Sequence, residues 1–217
     1  MAKNDQKKII IFDMDGVLFD TIPYARQAFL ETHPGVTADI YNEIHSGNFY
    51  KEASKYSHLR IKETEEQRKK RNLDYADKKS KSRIFDGIKK LLTQLKDEEF
   101  ILVLNTNAYD RNSFPLLENG GISTFFDFIA SAELSKDKIE KFELIVKKYN
   151  AEKENTLFIT DALGDVRDAD IAGVPTVAVT WGVHDSPFFK REKHSNLLDI
   201  VDSVEDLNKA IKKYFQD

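Results

Sequence analysis

The stretch Lys8-Ile-Ile-Ile-Phe-Asp-Met-Asp-Gly-Val-Leu-Phe-Asp20 decides the fold. An apolar run, Ile9 to Phe12, ends on Asp13, and Asp15 and Gly16 follow at once. A short apolar run closed by a glycine turn predicts a buried strand. Open α/β sheets hold their ligands beyond the carboxyl ends of the strands, where these two acids fall. Carboxylates that close repel each other, and a cation is the usual remedy. An EF-hand calcium loop is excluded by spacing: Gly16 comes too early, and Val17-Leu18-Phe19 brings no side-chain oxygen.

Beyond that stretch the chain changes character. From Thr21 to about Ser82 no run reads as a strand. Pro23 suits a helix start, with Tyr24, Ala28 and Phe29 on its apolar side. Pro34-Gly35 marks a break, a second helix is expected over 38–44, and 51–81 reads as one or two long polar helices. Lys51 to Arg83 carries 12 Lys and Arg against 6 Asp and Glu, in a chain whose net charge is −4. That compositional boundary sets residues 21–82 apart as a helical insert within a core made of 1–20 and 83–217.

An α/β rhythm resumes at Ile84. Ile88, Leu91, Leu92 and Leu95 have helical spacing. Strands are expected over 100–104, 126–130, 156–160, 176–180 and 199–201. The helices between them cover 111–118, a strong amphipathic stretch through Phe142, Ile145 and Tyr149, 166–172, and 204–215 with Ser203 as N-cap. Strands alternating with helices imply βαβ units and a parallel sheet, an α/β fold.

In such a sheet the polar residues after each strand share one edge. They are Asp13 and Asp15, then Thr106 and Asn107, then the lysines at 136, 138 and 141, then Asp161 and Asp165. Carboxylates from two strand ends make an oxygen site for a hard cation such as Mg²⁺. Thr106, read as sitting where a strand turns into a helix, suits a phosphate. Asp137 and Glu140 read as a capping pair, which puts Lys138 in a first helical turn, against the helix dipole. A cost of that kind is met where negative charge must be balanced, although Lys136 and Lys141 remain rivals. Asp168 and Asp170 read as surface residues.

Composition excludes several classes. With no cysteine there is no disulfide, thiolate metal site or cysteine nucleophile. The bulk charge speaks against nucleic-acid and membrane binding. The polar start MAKNDQKK precedes an apolar run too short for a signal peptide, and no later run is long enough to span a bilayer. A cytoplasmic protein is the expectation, and nothing in the sequence specifies an oligomeric state.

Taken in order, Asp13-Met-Asp15-Gly-Val-Leu-Phe-Asp20, Leu104-Asn-Thr106-Asn, a downstream lysine and Asp161-x-x-x-Asp165 resemble the haloacid dehalogenase superfamily over nearly the whole chain. The resemblance implies a Rossmann-like core with its first strand central and an α-helical cap after that strand. It implies Asp13 as the nucleophile that takes the phosphoryl group, and Asp15 as the acid that protonates the leaving oxygen and then activates water. Mg²⁺ would be held by Asp13, the Asp15 carbonyl and Asp161, with Asp165 supporting the metal or orienting the lysine. Thr106 and Lys138 would hold phosphoryl oxygens, with Asn107 beside them. Two departures stand out: Thr160 replaces the glycine that usually precedes Asp161, and the usual Lys-Pro pair is missing. One family pattern selects Lys136, another Lys138.

Dehalogenases of this family lack an acid at the Asp15 position, so Asp15 points to a phosphatase or phosphomutase. The expected substrate is a small phosphorylated metabolite resembling phosphoglycolate, a sugar phosphate or a nucleotide. Response-regulator receiver domains gather similar residues but are shorter and uncapped. A third reading, a non-enzymatic polyanion-binding protein using the basic insert, is weakened by the interleaved glutamates, since charge runs are mostly solvated helix faces.

Overall fold

The computed structural model describes residues 7–216; the polar lead MAKNDQ lies outside them. Chain order gives β1 (Ile9–Phe12), α1 (Ile22–Thr32), α2 (Ala38–Ile44), α3 (Phe49–Ser54), α4 (Glu65–Ser80), α5 (Ile88–Asp97), β2 (Ile101–Asn105), α6 (Asp110–Gly120) and β3 (Phe128–Ala130). Then come α7 (Lys138–Tyr149), β4 (Thr156–Thr160), α8 (Leu163–Ala172), β5 (Thr176–Val179), α9 (Ser186–Phe189), β6 (Leu197–Val201) and α10 (Val204–Gln216).

Among the described residues six strands form one parallel sheet, ordered β3-β2-β1-β4-β5-β6. That is the Rossmann-like order, with β1 at the centre and the crevice opening where the winding direction reverses. All of β1 is buried, because helices cover both sheet faces. Its side chains alternate. Ile10 and Phe12 pack with Leu91, Leu95, Leu116 and Leu207 from α5, α6 and α10. Ile9 and Ile11 pack with Phe142, Ile145 and Ala169 from α7 and α8.

Helices α1 to α4 all fall between β1 and α5. Each start follows from its flanking residues. Pro23 opens α1, while Thr37 and Asn48 cap α2 and α3 through their side-chain oxygens. Thr64 and Gln67 close a reciprocal capping box on α4. The polar run over 51–81 is thus split, with coil between α3 and α4. The rings of Phe29, Tyr41 and Phe49 meet edge-on or tilted, at centroid distances of 5.6 and 6.1 Å from Phe29, and form a small aromatic core. Some of the insert's cations are matched locally, as in Arg71 with Glu63 and Lys81 with Asp77.

The insert rests on the core at specific points. Gly164 N–H donates to the His45 carbonyl at 2.9 Å, and the Tyr50 hydroxyl to the Asn107 carbonyl at 2.8 Å. Arg167 donates to the Ser46 carbonyl. Gly164 is required there, because a Cβ would overlap the backbone of Gly47. No helix among the described residues is long and apolar enough to cross a membrane.

Two local readings are corrected. Helix α8 begins at Leu163 and not near Val166, so Asp165 lies in its first turn. Helix α6 begins at Asp110, and Glu133 accepts from its first N–H, so Thr106 stands in the preceding loop and not at a helix N-terminus.

Candidate active site

The carboxyl ends of β1, β2 and β4 and the start of α7 surround a cavity of about 220 Å³. Asp13, Asp15, Thr106, Asn107, Lys138, Asp161 and Asp165 all border it. The insert closes the other side with Tyr41, His45, Tyr50, Tyr75 and Lys79.

Lys138 is the hub of the core side. It is the first residue of α7, held there because the Asp137 carboxylate caps the helix by accepting from Ile139 N–H at 2.8 Å. Its Nζ lies 2.6 Å from Asp165 and 3.1 Å from Asp13. Burial opposes its charge, but Asp13 and Asp165 outweigh burial and hold its pKa above the ordinary lysine value. Glu140 does not complete the expected capping pair; it accepts from Ser135 Oγ instead. Lys136 points elsewhere, its ammonium 4.8 Å from the centre of the Tyr50 ring.

Asp13 is 8 % exposed. Burial pushes its pKa up to about 6, against the pull of Lys138 and with help from Asp165 and Asp15. Burial, and after it Asp13, likewise push Asp161 well above the usual carboxylate range. Asp161 accepts from Val183 N–H at 2.7 Å. Gly16, with φ +74°, makes room for it, since a side chain at that position would overlap the Asp161 carboxylate.

Thr160 explains its departure from the family glycine. Its hydroxyl donates to Asp165 at 2.7 Å and accepts from Ala162 N–H at 3.2 Å, which ties the turn down. Asp165 is thereby engaged by both Thr160 and Lys138.

Asp15 has different company. Its carboxylate accepts from the Thr21 hydroxyl at 2.6 Å and from Lys79 at 2.8 Å. Lys79, on α4 of the insert, is 3 % exposed. Sequence reasoning did not single it out. The available signal was the spacing of Asn72, Tyr75 and Lys79, which places them along one helix stripe. Asp168 was also misread as surface. It lies one turn after Asp165 on α8 and borders the cavity, and burial followed by Asp165 pushes its pKa up to about 7. Asp170 is no plain surface residue either, since its carboxylate accepts from the N–H groups of Ser195 and Asn196.

Thr106 Oγ accepts from Ala108 N–H at 3.0 Å, which leaves its O–H free to donate into the cavity. Lys141, one turn beyond Lys138, donates to the Thr106 carbonyl at 2.8 Å and to Asn107 Oδ1 at 2.9 Å.

A buried carboxylate beside an ammonium, a second acid two residues on, and hydroxyl and amide donors from a neighbouring strand end make an arrangement suited to phosphoryl transfer. A family model described as haloacid dehalogenase-like hydrolase matches residues 10–179. The chain belongs to that family. This haloacid dehalogenase-like hydrolase is 26 % identical over 193 residues to a phosphoglycolate phosphatase of Mesorhizobium japonicum, covering 82 % of this chain and 85 % of the relative. It is 25 % identical to an N-acetylmuramic acid 6-phosphate phosphatase of Pseudomonas putida, with 81 % and 83 % covered. Its fold matches the crystal structure of a predicted phosphatase from Clostridium acetobutylicum at a TM-score of 0.75 and 22 % identity, covering 96 % of this chain and all of the other.

Proposed function

We propose that this hydrolase is a phosphatase of small phosphorylated metabolites, acting through a phosphorylated Asp13, with residues 21–82 as the cap over its site. The observation that carries the reading is the Lys138 ammonium held between the buried carboxylates of Asp13 and Asp165 at the cavity floor. The relatives named for phosphoglycolate and for N-acetylmuramic acid 6-phosphate support a substrate among small phosphate monoesters.

In this reading an Asp13 carboxylate oxygen attacks phosphorus and the ester P–O bond breaks. Asp15 enters this step protonated, as the second step leaves it, and gives that proton to the leaving oxygen, because an alkoxide leaves poorly without one. Water then attacks the same phosphorus, Asp15 takes its proton, and the Asp13–phosphorus bond breaks to free inorganic phosphate. Lys138 and the Thr106 hydroxyl hold phosphoryl oxygens through both steps. The bonds from Thr21 and Lys79 to Asp15 exchange for one to the ester oxygen as substrate enters. Asp165 keeps Lys138 aimed.

Mg²⁺ fits the donor set. Among the described residues no three carboxylate or imidazole side chains form a cage of their own. Mg²⁺ does not need one: it keeps several waters and uses one or two carboxylates with substrate phosphate oxygens. Asp13 and Asp161, two buried acids of which the first adds to the upward shift of the second, supply that pair, with the Asp15 carbonyl as a third donor. Asp165 is left to Lys138. Bound there, Mg²⁺ would lessen the repulsion between a carboxylate nucleophile and an anionic ester.

The test is phosphate release from a panel of phosphoglycolate, sugar phosphates, nucleoside monophosphates and an aryl phosphate, with Mg²⁺ and with chelator. Release should need Mg²⁺, and Asp13→Asn should lower kcat by on the order of 10⁴-fold or more. Unchanged turnover in Asp13→Asn overturns the aspartyl route. Transfer between sugar positions without release would turn the reading toward a phosphomutase.

A further inference from the structure

The catalytic reading gives Lys141 no task, yet its side chain is wholly buried. A buried amine with only neutral partners is expensive where an apolar side chain of like length would pack at no such cost. Its two acceptors belong to the phosphate loop itself: the Thr106 carbonyl and Asn107 Oδ1.

The direction of these bonds matters. The peptide unit joining Thr106 to Asn107 is planar and trans, so its C=O and N–H point opposite ways. Lys141 draws the carbonyl toward α7. The Asn107 N–H therefore faces away from α7, and among the described residues it finds no protein acceptor. Both Thr106 and Asn107 border the cavity. The same residue thus anchors the Asn107 side chain and turns a backbone donor outward from the core. Tyr50 of the insert holds the next carbonyl, that of Asn107, from the opposite side.

We propose that Lys141 is a positioning residue: by anchoring the Thr106 carbonyl and the Asn107 side chain, it aims the Thr106 hydroxyl and the Asn107 N–H at the phosphoryl oxygens. This rests on the phosphatase reading. The electrostatics agree with the geometry. Burial, and next the Lys138 ammonium, push the pKa of Lys141 down to about 7, against Asp13, Asp165 and Asp137. Two neutral acceptors suit both forms, because a free amine still keeps two N–H donors.

The experiment compares the full chain with Lys141→Met and Lys141→Gln, the latter keeping an N–H donor one bond shorter in reach. Two readouts are taken: hydrogen–deuterium exchange, segment by segment, and kcat and KM for whichever panel ester the wild type cleaves best. In Lys141→Met, exchange over 106–109 should quicken at least tenfold while α7 is unchanged. Its kcat should fall by about 10- to 100-fold, with KM within threefold, the scale expected when binding groups are misplaced by about 1 Å. Lys141→Gln should recover part of both. The proposal is overturned if loop exchange and kcat stay within twofold of wild type. It is equally overturned if both variants lose activity together with protection throughout α7, which would mark a packing role. If the wild type cleaves no ester, the phosphatase reading fails, and exchange over 106–109 alone decides whether Lys141 positions the loop.

Discussion

The core side of the cavity sets one ammonium, Lys138, against the buried carboxylates of Asp13 and Asp165; the insert side sets the rings of Tyr41, His45, Tyr50 and Tyr75 beside Lys79. Strand ends and the first turns of α7 and α8 fix the core groups, with Lys138 bonded to Asp13 and Asp165, and Asp165 also to Thr160. The insert meets the core through polar bonds spread along it, at Thr21, Asn42, Glu43, His45, Ser46, Asn48, Tyr50, Lys79 and Ser80. A rigid, charged floor suits chemistry that needs positioning. A mostly aromatic roof suits admission and selection of a substrate.

The largest expected effect comes from breaking the floor. Lys138→Met leaves Asp13 and Asp165 buried without their cation. Removing one partner of a buried ion pair costs about 3–5 kcal/mol. Urea unfolding of Lys138→Met at pH 7.5 should show a loss of that size together with loss of turnover. A variant as stable as wild type would mean that the floor's charges are not coupled as the distances imply.

A smaller effect is expected from the roof. Lys79→Ala removes the cation from Asp15 but leaves Thr21 in place. Its kcat/KM should fall by about 10- to 100-fold, less than the roughly 10²- to 10⁴-fold that a general acid–base group itself contributes, because Asp15 remains. The Mg²⁺ binding proposed for the floor should be the same in Lys79→Ala as in wild type, measured by titration calorimetry. Loss of Mg²⁺ binding in Lys79→Ala would erase the division of labour between the two sides.

The contrast also explains what could be read in advance. The sheet was legible because fully buried parallel strands carry unbroken apolar runs, as in Ile9–Phe12 and in residues 157–159 of β4. The acids and Thr106 were legible because strand ends share one edge. The choice among Lys136, Lys138 and Lys141 was not, since it turns on where α7 starts. Once Asp137 caps the helix, residues 138 and 141 share its inner face and 136 falls outside it. Lys79 was hidden among the many cations of α4, where polarity all round masks the inward stripe. Asp168 was hidden because nothing local shows that its side of α8 looks into a cavity; its spacing from Asp165 was the only hint.

One histidine joins floor to roof, and it gives the smallest effect. The Leu163 N–H donates to His184 Nδ1 at 2.8 Å, so Nδ1 carries no proton. Nε2, 2.9 Å from the Asn42 carbonyl, must then be the N–H donor. A single neutral tautomer thus satisfies the N-terminus of α8 and holds the insert at the end of α2. Protonation would set a second N–H against that of Leu163. Burial accordingly pushes the His184 pKa down to about 4, against the bond to Asn42 and with His45 adding to the fall. The unfolded chain binds its proton near pH 6.5, earlier than the folded one. The stabilisation is therefore complete above that pH and is lost progressively as pH falls toward 4. Between pH 7 and 5.5 this residue should account for about 1 kcal/mol of lost stability, by the same linkage. Urea unfolding at the two pH values checks it, and His184→Gln should flatten the dependence without abolishing it, because burial also lowers the pKa of His45. An equally steep loss in His184→Gln would place the acid sensitivity outside the joint between insert and core.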